Sequence, residues 1–270
     1  MTLRTVLFLF VLAAAGGARA AAPAEHQCLI EPYRKIEIRS PVEALIDAVR
    51  VERGSVVKKG QVLVQLNARV EQAALASARY RAVMEGQVRT ADARLNFARE
   101  KHRRRDELSR QNFTSAQDRE EALAEMRVAE AELVEAKDNR ELSSLEAKRL
   151  AELVHQRTLS SPFDGIVTDV LQHPGELAQT GENARPILKL AQLHPLRVEV
   201  VLPVALHASI KKGARAEVES EAPLRGRFKA AVHIVDKVVD SASGTFGVRL
   251  ELPNPTGSIP AGVKCKVRFP

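Results

Sequence analysis

The chain contains one short pattern twice: Ser40-Pro41-Val42-Glu43-Ala44-Leu45-Ile46 returns as Ser161-Pro162-Phe163-Asp164-Gly165-Ile166-Val167. The same offset of 121 residues places Gly54 on Gly175 and Gly60 on Gly181. After a three-residue insertion, residues 62–66 match residues 186–190. About 90 residues separate the two copies. We therefore expect two halves that meet in space while the segment between them projects away.

Each copy has the composition of short β-strands. Apolar runs such as Val62-Leu63-Val64 are interrupted by glycine, the residue that most readily takes the positive φ of tight turns. Neither copy is long enough to bury a core alone. We predict that residues 39–66 and 159–191 form one small β-sandwich. Its predicted turn glycines are Gly54, Gly60, Gly165, Gly175 and Gly181.

Residues 67–158 are predicted to form an antiparallel helical hairpin. From Val70 to Arg105, and again from Ala122 to Val154, mostly small or apolar residues recur at alternating spacings of four and three. This period keeps one seam of a helix facing a partner helix. Each arm is expected to be one helix of about 42 residues, roughly 60 Å long. The predicted seam of the first arm begins Val70, Ala74, Ser77, Arg81, Met84 and Val88.

After residue 196 the pattern changes to short alternating strands. The strand candidates are residues 197–202, 215–219, 227–235, 245–252 and 263–269. Five short strands separated by Gly, Asn and Pro predict a small β-barrel over residues 196–270. Residues 28–38 alternate in part and are predicted to join this barrel as a further strand. Residues 203–210 are expected to form one short helix.

The first 20 residues have the features of a cleaved signal peptide. Arg4 precedes an apolar run over residues 6–15, and Ala18-Arg19-Ala20 resembles a cleavage site. The run is too short to span a bilayer, so we expect no transmembrane helix. In an oxidising compartment the two cysteines, Cys28 and Cys265, favour a disulfide, with two buried thiols as the alternative. A strand at residues 28–38 that closes the barrel would bring them within reach.

Composition and motifs argue against several functions. The chain has 41 Lys+Arg against 34 Asp+Glu, and removal of Arg4 and Arg19 leaves a net charge of about +5. It has no Trp and only 4% aromatic residues, so the basic surface lacks the rings on which nucleotides stack. No two of its seven histidines are closer than 13 residues, and no phosphate-binding or nucleophile motif is present. We expect no enzyme activity, no metal, no cofactor and no nucleic-acid partner.

Three further stretches carry a resemblance to a known family. They are Gly54-Ser55-Val56-Val57-Lys58-Lys59-Gly60-Gln61, Leu159-Ser160-Ser161-Pro162-Phe163-Asp164-Gly165 and Asp240-Ser241-Ala242-Ser243-Gly244-Thr245-Phe246. In this order, with a hairpin between the first two, the chain resembles the periplasmic adaptors, or membrane fusion proteins, of HlyD-type and RND-type export systems. The resemblance implies an α+β multidomain fold: a split lipoyl-like β-sandwich with an inserted coiled-coil hairpin, followed by a β-barrel.

The resemblance also implies a function. Such adaptors bridge an inner-membrane transporter, of RND or ABC type, and a TolC-type outer-membrane channel. They lie in the periplasm as homo-oligomers, hexamers by resemblance, held at the inner membrane by the transporter. The family docks on the channel through three tip residues, which match Arg104, Leu108 and Ser115 here. The alternative interpretation, from the residues alone, is that Arg104 belongs to a solvated basic run, Leu108 to the seam and Ser115 to a helix cap.

Two features of this chain differ from those of related proteins. Fewer than 20 mature residues precede Ser40 and the chain ends at Pro270, so we expect no complete membrane-proximal domain. Lipoyl and biotinyl carriers modify a lysine in the turn between their halves, and here the long hairpin replaces that turn. We therefore expect no lipoyl or biotinyl group. The remaining alternative function is an exported coiled-coil scaffold or chaperone that is not linked to transport.

Overall fold

The computed structural model describes residues 25–181, 184–221 and 226–270, so the expected signal peptide lies outside the described residues. The chain divides into two compact units. The barrel unit comprises the described residues up to Tyr33 together with Leu193–Pro270, and the hairpin unit comprises Arg34–Gln192. Within the described ranges, no helix is long and apolar enough to cross a membrane.

The helices and strands follow the order that the sequence pattern predicts. In chain order they are β1 (Glu25–Ile38), β2 (Ala44–Val49), β3 (Val56–Val57), β4 (Val62–Leu66), α1 (Arg69–Val83), α2 (Gly86–Arg110), α3 (Ala116–His155), β5 (Thr158–Ser160), β6 (Gly165–Val170), β7 (Leu177–Ala178), β8 (Leu188–Pro203), β9 (Arg215–Ser220), β10 (Arg227–Val235), β11 (Thr245–Leu252) and β12 (Val263–Arg268).

The barrel unit is a closed ring of six strands. Hydrogen-bonded neighbours follow the order β1, β12, β9, β10, β11 and β8, and β8 pairs in turn with β1. Each strand buries alternate side chains, as Val198, Val200 and Leu202 do on β8, because successive side chains of a strand point to opposite faces. Of the short helix expected at residues 203–210, only one 3-10 turn forms, Val204–Leu206.

The two cysteines lie in this ring and form a disulfide. Cys28 on β1 stands directly opposite Cys265 on β12. Both side chains are buried in the barrel core. The bond therefore fastens the first described strand of the chain to the last one, 237 residues away.

The sandwich of the hairpin unit is built from both copies of the sequence pattern. β2 pairs with β4 and β7, and β4 pairs with β5. β6 pairs with β3 and with β8. Apolar side chains from both copies, including Ile46, Leu66, Val167 and Leu190, share one buried core. Each half covers the apolar face of the other, which neither half could bury alone.

Hydrogen bonds repeat between the halves with the same offset as the sequence. Ile46 donates its backbone N–H to the carbonyl of Glu176, and Val167 donates to that of Ser55, each over 2.9 Å. The return bonds, Gly175 to Ile46 and Gly54 to Val167, are both 2.8 Å. The sandwich therefore has an internal twofold relation, and each half supplies a strand that pairs with the other.

The first arm of the hairpin is not one helix, and this part of the prediction is wrong. α1 ends at Val83 and α2 begins at Gly86. Between them Met84 has an extended backbone, with φ −67° and ψ 125°, so the helical hydrogen bonds are interrupted. Gly86 contributes to the break because glycine is among the weakest helix formers.

The break shifts the buried face of α1 by one residue. Leu75 and Ala78 are the buried residues of α1, whereas the spacing predicts Ala74 and Ser77. Val70, the first predicted seam residue, is exposed. Because the pattern of fours and threes continues in the letters across Met84, the sequence spacing does not reveal that the helix has restarted.

The seam between α2 and α3 follows the predicted spacing. Ala91, Leu95 and Ala98 pack against Ala129 and Leu133. Ion pairs cross the two helices on the exposed sides, with Lys101 to Glu125 at 2.6 Å and Arg94 to Glu132 at 3.4 Å. Exposed ion pairs of this kind stabilise a protein by only about 0.2–1 kcal/mol each. The geometry of the hairpin therefore depends mainly on the small apolar seam and on the ends of the hairpin.

Candidate functional site

The turn between α2 and α3 is held in one conformation by its own backbone. Asn112 has a φ of 58°, in the left-handed region, which asparagine tolerates better than most residues. The backbone N–H groups of Asn112 and Phe113 donate to the carbonyls of Ser109 and Leu108, over 3.0 and 2.9 Å. These bonds close the end of α2 and reverse the chain.

Ser115 begins the second arm as the N-cap of α3. Its hydroxyl accepts from the backbone N–H of Asp118 over 3.1 Å, and the Asp118 carboxylate accepts from the backbone N–H of Ser115 over 3.2 Å. These two reciprocal bonds form a capping box. Thr114 donates a further hydrogen bond to the same carboxylate over 2.8 Å.

The capping carboxylate has a perturbed acidity. Hydrogen bonds from the Ser115 and Thr114 hydroxyls and from the Ser115 backbone hold the pKa of Asp118 below its usual range. These bonds favour the ionised carboxylate, and so does the N-terminus of α3. The cap is therefore strongest when Asp118 is charged.

The predicted docking residues lie on the exposed end of the hairpin. Arg104 and Leu108 are four residues apart on α2, so their side chains share one face. Leu108 is 40% exposed, and Arg104 donates from Nε to the Glu100 carbonyl over 3.4 Å. Ser115 stands across the turn, with its hydroxyl engaged in the cap.

Phe113 is a further residue of the tip, in the turn between α2 and α3. Its side chain is 77% exposed, although an aromatic ring is normally buried. The bond from its backbone N–H to Leu108 fixes the point from which the ring projects. A phenylalanine between Asn and Thr in a helix-to-helix turn is the signal that would have identified it.

The tip carries an excess of positive charge. Between Lys101 and Arg119 the sequence has six Lys or Arg against three Asp or Glu. Arg103 and Arg110 pair with acidic residues of their own helix. Arg104, Arg105 and Arg119 form no ion pair with any residue that the structure describes. These arginines, beside the exposed side chains of Leu108 and Phe113, would fit a partner surface that is both apolar and acidic.

Four of the five predicted turn glycines lie in turns with positive φ. Gly54, Gly60, Gly175 and Gly181 have φ between 81° and 106°. Gly165 does not lie in a turn, so the prediction is wrong for this glycine. It is the first residue of β6 and pairs with Val57 of β3. A Cβ on Gly165 would lie 2.4 Å from the carbonyl oxygen of Ala191. Close backbone packing, not a turn, requires glycine there.

The segment between the two halves is helical, and among the described residues no group of three or more His, Cys, Asp or Glu could hold a metal ion. Helices α1 to α3 connect β4 to β5, at the position where a carrier domain would have a short turn.

Comparison with known proteins identifies two parts of this architecture, the hairpin and the barrel. Residues 80–139 match the family model described as the alpha-helical hairpin domain of RND MFP proteins, and residues 196–270 match that of the CusB-like beta-barrel domain. Together these matches cover the tip-bearing helices and the barrel strands from β8 onward.

Curated relatives match most of the chain. The macrolide export protein MacA of Yersinia pestis is 24% identical over 84% of this chain and 62% of its own length. The solvent efflux pump periplasmic linker SrpA of Pseudomonas putida is 26% identical over 86% of this chain and 56% of its own. The chain therefore spans little more than half the length of these relatives.

A solved structure shows the same fold. The crystal structure of MacA from Actinobacillus actinomycetemcomitans superposes with a TM-score of 0.76 at 18% identity, covering 91% of this chain and 77% of that one. The hairpin and barrel matches and the relatives, together with this fold, lead to one conclusion: the chain belongs to the membrane fusion protein family.

Proposed function

We propose that this protein is a periplasmic adaptor that bridges an inner-membrane transporter and a TolC-type outer-membrane channel. The observation that carries the proposal is the hairpin tip, where a fixed turn presents Arg104, Leu108 and Phe113 to solvent. The relatives named for macrolide export and for solvent efflux support a role in export. The transporter is of RND or ABC type.

The tip chemistry accounts for docking without catalysis. An arginine offers five donors in a fixed plane and can bind carboxylates or carbonyls at the channel end. Leu108 and Phe113 supply apolar surface that docking would remove from water, worth about 25 cal/mol for each Å² buried. Such a contact needs no reaction and no cofactor. In the proposed function the protein therefore acts as an adaptor and not as an enzyme.

The proposed adaptor works as a homo-oligomer, a hexamer by family resemblance. Val134, Leu142 and Leu145 are exposed on α3, and spacings of eight and three place them on one helical face. A neighbouring hairpin would cover this apolar face. In the oligomer several tips would then meet the channel together, and multivalency would strengthen a contact that is weak for each tip alone.

Export assays with tip variants test this function. Arg104→Asp and Leu108→Asp each replace a docking group with a negative charge, and we expect each to reduce export by about ten-fold or more, as loss of a central interface residue does. Arg79→Asp and Val70→Asp introduce the same charge at exposed positions of α1 and serve as matched controls. Full export from both tip variants, with folding and expression unchanged, would exclude the tip from docking.

A capture experiment separates the adaptor from the alternative scaffold or chaperone. Cross-linking in intact cells should recover an inner-membrane transporter together with the protein. Recovery of soluble exported proteins only, with no membrane transporter, would favour the scaffold or chaperone and reject the bridging role.

A further inference from the structure

Two small apolar patches lie on the surface of the sandwich. The Val56 patch consists of Val56 on β3 and Ile166 on β6, which stand directly opposite each other. The Leu177 patch consists of Leu177 on β7 and Leu45 on β2, which also stand directly opposite each other. Val56 is 80% exposed, Leu177 47% and Leu45 50%, so both patches present apolar side chains to solvent.

The internal repeat relates the two patches. Val56 and Leu177 differ by the same 121 residues that relate the sequence copies, and so do Leu45 and Ile166. β3 lies at the end of one sheet and β7 at the end of the other. The patches are therefore equivalent places on two edges of the sandwich, and the internal twofold relation points them in different directions.

The charges around the patches have diverged to opposite signs. Lys58 and Lys59 follow Val56 and are exposed, whereas the equivalent residues after Leu177 are Gln179 and Thr180. Asp164 partly offsets the lysines, since its carboxylate accepts from the Lys59 backbone N–H over 2.7 Å. The Val56 patch nevertheless has a basic rim.

The rim of the Leu177 patch is acidic. Glu43, just before β2, and Asp47 on β2 lie two residues to either side of Leu45, and all three side chains are exposed. Asp47 shares the face of Leu45 because a strand alternates its side chains. Neither carboxylate forms an ion pair with a described residue. Asp47 accepts one neutral hydrogen bond, from Asn67 over 3.1 Å.

We propose that the Val56 patch of one copy binds the Leu177 patch of the next copy. Opposite rims attract, whereas two copies of either patch facing each other would place like charges together. The contact is thus head-to-tail, and a head-to-tail contact repeated with a closing rotation generates a ring. The inference rests on the homo-oligomer of the proposed function and names the surfaces that join its subunits.

Thiol cross-linking tests the direction of the contact. The native cysteines are both in the disulfide, so a short bismaleimide reacts only with introduced thiols. Full-length Val56→Cys mixed with full-length Leu177→Cys should give cross-linked dimers, and the double variant should give a ladder of higher oligomers. Each single variant alone should remain uncross-linked, and so should Leu177→Cys mixed with Val238→Cys, an exposed position of the barrel unit.

The outcomes are distinct from those that test docking and export. Dimers from a single variant alone would show a symmetric contact and overturn the head-to-tail proposal. An oligomer of normal mass with no cross-link from the mixed pair would place the interface elsewhere and leave the adaptor function standing. A chain that stays monomeric at all concentrations, with no cross-link, would overturn the inference together with the proposed oligomer.

Charge exchange provides an independent test with rescue. Lys58→Glu with Lys59→Glu should raise the concentration for half assembly by about ten-fold, since like charges then face each other. Glu43→Lys with Asp47→Lys should do the same. All four changes in one chain restore opposite rims and should restore assembly. Failure of this quadruple variant to recover, with its fold intact, would overturn the proposed charge pairing.

Discussion

At the scale of single residues, Gly165 shows how closely the adjacent strands β6 and β8 of the sandwich pack. Its Cα faces the Ala191 carbonyl oxygen, which a Cβ would approach to 2.4 Å. The clash is with backbone, so no side chain can rotate to relieve it. The sequence alone marks Gly165 only as one of several glycines in the repeat, because spacing contains no information about the approach of a distant strand.

We predict that Gly165→Ala lowers the free energy of unfolding of the hairpin unit by about 1–3 kcal/mol, the usual cost of overpacking. Gly86→Ala is the matched control, since nothing lies within 4 Å of a Cβ at that position and alanine favours helix. Urea unfolding followed by circular dichroism measures both variants. Equal midpoints for the two would contradict the close approach seen at Gly165.

Ser115 has two roles to separate, the cap that the structure shows and the channel contact that we propose. Ser115→Ala removes the hydroxyl and should destabilise the start of α3 by about 0.5–2 kcal/mol. Ser115→Thr retains a hydroxyl that can cap. Backbone amide exchange over residues 116–119 measures fraying. If Ser115→Thr keeps the cap but loses export, the serine contacts the channel; if both persist, capping explains the residue.

The acidity of Asp118 gives the cap a pH dependence. Its folded pKa is lowered by the Ser115 and Thr114 hydroxyls, so its contribution is present above the unfolded pKa, about 3.9, and is lost as the pH falls through the lower folded value. An NMR titration should show a lower pKa for Asp118 in the native protein than in Ser115→Ala. Equal values would contradict the hydrogen-bonded cap.

At the scale of elements, the hairpin shows where sequence patterns succeed and fail. The strand spans 227–235 and 245–252 follow directly from alternation, and the α2–α3 seam follows from spacing, because these patterns reflect burial within one continuous element. The break at Met84 is missed because apolar letters remain in phase across it. Phe113 is missed because its exposure depends on the turn geometry and not on any periodicity.

The phase of α1 can be tested with neighbouring substitutions. Ala78 is buried and Ser77 is exposed, whereas an uninterrupted first arm would bury Ser77. We predict that Ala78→Asp destabilises the hairpin by more than about 2 kcal/mol, because a charge is buried without a partner. Ser77→Asp should change stability by less than about 0.5 kcal/mol. The reverse order would restore the continuous seam and contradict the break.

At the scale of the whole molecule, the disulfide connects the first and last described strands. The bond closes a loop of more than 200 residues, and chain-entropy models predict larger stabilisation for longer loops. We predict that Cys28→Ala with Cys265→Ala lowers the free energy of unfolding by about 2–4 kcal/mol. Thermal unfolding with and without reductant gives the measurement. A reduced wild-type protein as stable as the oxidised one would remove the disulfide from the stability of the barrel.

The order of the domains can be predicted from the sequence more readily than the contacts that the protein makes with partners. The split repeat and the hairpin between its halves predict the sandwich and the projecting helices, because two half-cores must meet. The proposed channel and transporter contacts are different, since they would depend on partner surfaces that leave no periodic pattern in this chain. The charged rims of the sandwich also could not be predicted from the sequence, because they depend on which strands pair and which residues share a face.

The central claim is that the hairpin tip contacts an outer-membrane channel. A photo-cross-linking amino acid placed at position 108 in full-length protein, in intact cells that export, tests it most directly, with position 70 as the control. We predict a covalent adduct between position 108 and an outer-membrane channel protein, and none from position 70. Adducts from position 108 that contain only soluble exported proteins, or the same adducts from both positions, would contradict the account.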